Sequence, residues 1–117
     1  MDLDAWQKRI RTFARDREWE QFHTPKNLAI ALSVEASELL EIFQWLTAEQ
    51  SSSIMTSSAA PQVCDEVADV LIYLLRLADV LDLDLSASME RKFAKNELRY
   101  PAAQVRGSAA KAGPVTG

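Results

Sequence analysis

Carboxylates spaced in pairs are the residues in this sequence with most chemistry to offer. Glu35 and Glu38 stand three apart in "SVEASELLEIFQW" (33–45), and Glu41 continues the series. Glu66 and Asp69 stand three apart in "DEVADVLIYLLRLADVL" (65–81). At 3.6 residues per turn, residues three apart fall about 60° from one another, so each pair shares a helix face.

The surroundings make these acids unusual. Leu28, Ala31, Leu39, Ile42 and Trp45 lie on the side of the helix that carries Glu35 and Glu38, and Ile30, Ala36, Leu40 and Phe43 occupy the other. A helix apolar nearly all round is expected to be buried among neighbours. Val70, Tyr73 and Leu77 border Glu66 in the same way. Ionised carboxylates in such places are costly unless paired. The only basic residues inside these helices are Lys26, near the start of one, and Arg76. A divalent cation resolves the conflict: Mg²⁺ takes hard oxygen ligands from carboxylates, water and substrate phosphates, with Mn²⁺ as the alternative. The competing reading of Glu-x-x-Glu is an ordinary solvated helix face.

Four helices are needed to position these groups. The first spans about 3–17, with Trp6, Ile10, Phe13 and Ala14 at helical spacing and acids at its N-terminal end. Thr24-Pro25 reads as an N-cap followed by proline at the first helical position, starting a second helix that lasts to about 46. The Ser-rich stretch 47–61 reads as a loop with room for one short helical turn. A third helix spans about 62–81, and Asp84 or Ser86 caps a fourth that lasts to about 98. No alternating period-2 run appears, so the fold class is all-α. Residues 1–101 form one domain, and the Gly/Pro-containing tail 102–117 is expected to be disordered.

Bulk properties narrow the class further. A net charge of -4 argues against a binder of nucleic-acid polymers, which carries a basic excess. A single cysteine, Cys64, offers no internal disulfide. The acidic start lacks a secretory pattern, and no apolar run is long enough to cross a membrane. The expectation is a cytoplasmic protein without a membrane partner.

The same acids, with the segments around them, resemble the MazG-like all-α nucleoside triphosphate pyrophosphohydrolases, and within them the dCTP pyrophosphatase branch. The resemblance rests on "FARDREWEQFHTPKNL" (13–28), "EASELLEIFQW" (35–45), "DEVADVLIYLLRLA" (65–78) and "KNELRYP" (95–101). It implies a four-helix bundle that assembles as a dimer or a dimer of dimers. It implies Mg²⁺-dependent cleavage of a nucleoside triphosphate, dCTP or a modified relative, to the monophosphate and pyrophosphate. By position it makes Glu35, Glu38, Glu66 and Asp69 metal ligands, and Glu38 or Glu41 the residue that activates water. It places Trp19, Trp45 and Tyr73 around the base and sugar, Asn96 near the nucleotide, and Lys92 and Arg99, ahead of Lys95, on the phosphates. Three departures bear on base selectivity: the loop 47–61, the pair Glu97-Leu98, and Ile10, where some members have histidine.

The remaining residues carry less. Glu20-x-x-His23 matches half of a di-iron bundle motif, which needs two such pairs and two more glutamates; with one histidine, capping or packing is the expected role of His23. Cys64 has no histidine near it in sequence, so a nucleophilic role is not expected. Trp6 is expected in the core or a subunit interface, and Arg76 with Asp79 as a surface pair. The rival functions are a non-enzymatic helical oligomer that binds a partner, a di-iron protein, and a broad or dUTP-preferring pyrophosphohydrolase.

Overall fold

The computed structural model describes residues 1–111. Its order is α1 (Leu3–Asp16), a 3-10 turn (Glu20–Phe22), α2 (Pro25–Phe43), α3 (Ala48–Ser52), a second 3-10 turn (Ile54–Thr56), α4 (Ala60–Val80), α5 (Leu85–Arg99) and α6 (Ala102–Val105). The described residues contain no strand, so the all-α expectation holds. None of their helices is long and apolar enough to cross a membrane.

Capping side chains explain where the long helices begin. Asp2 accepts from Ala5 N–H at 3.0 Å, satisfying a donor that the first turn leaves open. Thr24 Oγ1 does the same for Asn27 N–H at 3.2 Å, with Pro25 in the first turn. Asp84, not Ser86, caps α5, accepting from Ala87 N–H at 2.9 Å. The serine-rich stretch holds more structure than one turn. Thr47 and Gln50 form a reciprocal capping box that starts α3, and Ser51, Ser52 and Ser53 return their hydroxyls to carbonyls one turn back. The third long helix starts at Ala60 rather than near 62. The second ends at Phe43 rather than near 46, where Leu46 N–H turns back to Phe43 C=O.

The chain divides into two compact units, 1–82 and 83 onward. In the first, α4 packs against α2 and against α1. Ala14, Leu28, Ile54, Val63, Leu75 and Ala78 are its buried apolar residues. The second unit contains α5 and α6; α6 lies inside the segment read as tail, and residues 112–117 of that tail lie outside the described residues.

Two expectations need correction. The apolar ring of α2 is only partly covered by its own chain: Leu28 alone is fully buried, Ala31, Leu39 and Ile42 are half-buried, and Ile30, Val34 and Leu40 are about half exposed or more. Arg76 is no surface residue: it is 7% exposed and donates to His23, just past the first 3-10 turn and 53 residues away in sequence.

Candidate metal centre

α2 contributes Glu35 and Glu38, and α4 contributes Glu66. One carboxylate oxygen from each lies within 4.8 Å of the others, and all three side chains are half-buried. The Glu35/Glu38 pair and Glu66 therefore converge across the α2/α4 contact. Asp69 stands one turn beyond Glu66, half-buried, and its charge acts on both Glu35 and Glu66, although it lies outside the group of three.

The electrostatics of this group fit a cation. Glu35 Oε2 and Glu66 Oε2 are buried and reach no hydrogen-bond donor. Burial pushes the Glu35 carboxyl up to about 7, and the proximity of Glu38, Asp69 and Glu66 pushes in the same direction. Glu66 is raised as well, by burial first and then by Glu38 and Asp69, with a smaller opposing effect from Glu35. Every charge acting on Glu35 is thus another acid. Native structures rarely leave buried polar oxygens without a partner, and hard oxygen donors clustered at this separation suit a divalent ion. The donor set is carboxylate alone; the single histidine is committed elsewhere, which fits neither zinc nor a di-iron centre.

The other candidates are dispersed. Glu41 is exposed and is not part of the three-carboxylate group. Tyr73 is half-buried on α4, one turn beyond Asp69. Trp19, 43% exposed, packs edge-on against the rings of Phe13 and His23, at centroid distances of 5.6 and 6.3 Å. Trp45, just past α2, is 86% exposed. Lys92, Asn96 and Arg99 belong to the second unit, on α5. There Lys92 is exposed, Asn96 and Arg99 are half-buried, and the Arg99 guanidinium lies 5.3 Å from the Tyr100 ring centre. Cys64 is an exposed free thiol.

Sequence reasoning missed two features. A cavity of about 370 Å³ opens where the end of α2 meets the start of α4, walled by Ile42, Leu46, Ile54 and Ala59 and edged by Gln50 and Ser57. It follows Glu38 by one helical turn, and no local pattern in 47–61 signals it. The second is a chain of charged side chains. Arg11 holds both Asp79 oxygens at 2.8 and 2.5 Å; Arg76 reaches Asp79 at 3.3 Å and donates from Nε to His23 Nδ1 at 3.0 Å. Only the Arg76–Asp79 spacing was visible in the sequence.

The fold and site define an all-α protein with a metal-competent carboxylate cluster between two packed helices. The sequence model of the MazG-like family matches residues 30–114, and the chain belongs to that family. It is 43% identical over 100 residues to dCTP pyrophosphatase 1 of Rattus norvegicus and 42% identical over 100 residues to that of Homo sapiens. Each alignment takes in 85% of this chain and 59% of the relative, so the chain spans little more than half the length of these relatives. A crystal structure of a pyrophosphatase from Archaeoglobus fulgidus superposes with a TM-score of 0.75 at 43% identity, covering 80% of this chain and 87% of that one.

Proposed function

We propose that this protein is a Mg²⁺-dependent nucleoside triphosphate pyrophosphohydrolase acting on dCTP, or a modified dCTP, to release dCMP and pyrophosphate. The observation that carries the reading is the convergence of Glu35, Glu38 and Glu66 with two buried, undonated oxygens. The dCTP pyrophosphatases that the chain matches supply the nucleotide.

Glu35, Glu38, Glu66 and Asp69 are the residues that would hold the ion. When bound, Mg²⁺ supplies positive charge that offsets both the acids and the triphosphate, and it polarises phosphoryl oxygen. The chain's own groups do the rest. Trp19, Trp45 and Tyr73 grip base and sugar, where stacking is worth roughly 1–3 kcal/mol per base. The resemblance assigns Lys92 and Arg99 to the phosphates and Asn96 to the nucleotide; all three belong to the second unit. Water attacks the α-phosphorus, the bond to the oxygen bridging toward the β-phosphorus breaks, and pyrophosphate leaves. Glu38 is the better candidate to orient that water and take its proton: it lies within the acid group, whereas Glu41 points to solvent.

Self-association belongs to the same reading. Exposed Ile30, Val34 and Leu40 on α2 form an apolar face that a second copy would cover, giving a homodimer or a dimer of dimers. A cytoplasmic location accords with a nucleotide substrate and with pool control as the purpose.

The test is a panel of common nucleotides incubated separately with Mg²⁺ and resolved by anion exchange. dCMP and pyrophosphate from dCTP, lost on chelation, are expected. Cleavage of dUTP or of many nucleotides would keep the metal centre and move the specificity. No turnover of any nucleotide, with no thermal stabilisation by Mg²⁺ plus nucleotide, would leave the non-enzymatic partner-binding reading.

A further inference from the structure

The network Arg11–Asp79–Arg76–His23 lies outside the metal centre, and its charge balance does not explain it. Asp79 is already held by Arg11 through two contacts, the shorter at 2.5 Å. Arg76 adds only a longer one, at 3.3 Å. Its shorter bond is the other, Nε–H to His23 Nδ1 at 3.0 Å. A guanidinium is protonated at all accessible pH and cannot accept. His23 Nδ1 must therefore present a lone pair, which leaves the proton of the neutral ring on Nε2. Burial and the Arg76 charge both oppose a second proton.

The ring fixed in this way touches Trp19. The Trp19 backbone is anchored to Ala14 C=O at 2.9 Å, and its side chain meets the rings of Phe13 and His23, both edge-on. Rotation of the His23 ring would break one of these two ring contacts on a half-exposed indole. We infer that Arg76 is a positioning residue for nucleotide binding: its Nε–H holds His23 in one tautomer and orientation, and His23 in turn seats Trp19. This rests on the proposed reading, in which Trp19 stacks on the base. Arg76 itself touches no substrate.

Two substitutions of similar length separate this role from bulk structure. In Arg76→Gln the side-chain amide nitrogen takes the position of Nε and can still donate to His23, while the charge is lost. In Arg76→Met a methyl group stands there. The full-length wild type and both variants are compared by steady-state kinetics on the nucleotide that the wild type hydrolyses. In parallel, ¹⁵N NMR of the imidazole is unambiguous because His23 is the only histidine. The wild type and Arg76→Gln are expected to show the Nε2–H tautomer and similar KM. Arg76→Met is expected to show mixed tautomers and a KM raised about fivefold, part of what a lost base stack costs, with kcat nearly kept. If Arg76→Met fails to fold, Arg76→Lys replaces it, since it keeps a charge for Asp79 but has carbon at the Nε position.

An unchanged KM in Arg76→Met, an equal rise in Arg76→Gln, or a wild-type ring protonated on Nδ1 would each overturn the inference while leaving the pyrophosphohydrolase reading intact. A wild type that hydrolyses no nucleotide would remove that reading, and the inference with it.

Discussion

Glu35 on α2 and Glu66 on α4 face each other across the helix contact, each with a buried carboxylate oxygen that no donor reaches. Two acids in that relationship destabilise the metal-free fold once they ionise. Their location at the α2/α4 contact means the strain falls on the main packing interface of the first unit.

The first prediction concerns pH. Glu35 is raised to about 7 in the folded chain and returns to the ordinary carboxylate value on unfolding. Between those two values the native state binds more protons, so stability falls as pH rises through that window and levels off above it. Glu66, also raised, adds to the slope. His23, whose pKa is lowered, slopes the opposite way, so the comparison must isolate the acid. Metal-free wild type is expected to melt at lower temperature relative to Glu35→Gln as pH goes from 5 to 8, and saturating Mg²⁺ to abolish that difference in slope. Parallel slopes without metal would contradict the shift.

The second prediction contrasts two glutamates three residues apart. Glu38→Gln is expected to lower kcat by at least about 10²-fold, the scale of a lost proton acceptor. It should also raise the metal-free Tm, because one of the repelling charges is gone, and shrink the stabilisation by Mg²⁺. Glu41→Gln, at an exposed position, is expected to stay within about twofold of wild type on all three readouts. Equal losses in both variants would move Glu41 into the site.

Much of this was legible because local chemistry decides it. Thr24-Pro25 and Asp84 mark helix starts through hydrogen bonds to residues three ahead, and an i, i+3 pair must share a face whatever the fold. The limits are equally physical. The apolar ring of α2 shows that its surface wants cover, but not whether the chain itself supplies it; Ile30, Val34 and Leu40 stay exposed. Arg76 finds His23 across 53 residues and Asp79 finds Arg11 across 68, distances over which sequence periodicity carries no signal. The same applies to Lys92, Asn96 and Arg99, whose assignment rests on resemblance.

The third prediction uses the Asp79 network to weigh burial against contact number. Arg11 makes the shorter contacts, but its side chain is 47% exposed, so solvent screens its loss. Arg11→Ala is expected to cost no more than about 1 kcal/mol. Asp79→Ala strands the buried Arg76 guanidinium without its counter-charge, and a cost of about 3 kcal/mol is expected. Urea titrations of both variants give the order. A larger cost for Arg11→Ala would mean that contact length, rather than burial, sets the energy.

The fourth prediction follows from how α1 ends. Glu18 N–H bonds to Arg15 C=O at 3.0 Å and Trp19 N–H to Ala14 C=O at 2.9 Å, the paired bonds of a Schellman motif. That motif puts Glu18 at φ 55, in the left-handed region where a Cβ costs roughly 1–2 kcal/mol. Glycine removes the cost but enlarges the unfolded ensemble, by roughly 0.5–1 kcal/mol. The steric term is the larger, so Glu18→Gly is expected to raise stability by up to about 1 kcal/mol, or about 4 °C in Tm for a chain near this size. Because the same turn anchors the Trp19 backbone, KM for the nucleotide is expected to be unchanged if the motif survives. A melting temperature that falls would mean that the Glu18 side chain makes a compensating contribution to the turn. A raised KM with a raised Tm would show that the rigidity of this turn, beyond its geometry, helps present the indole.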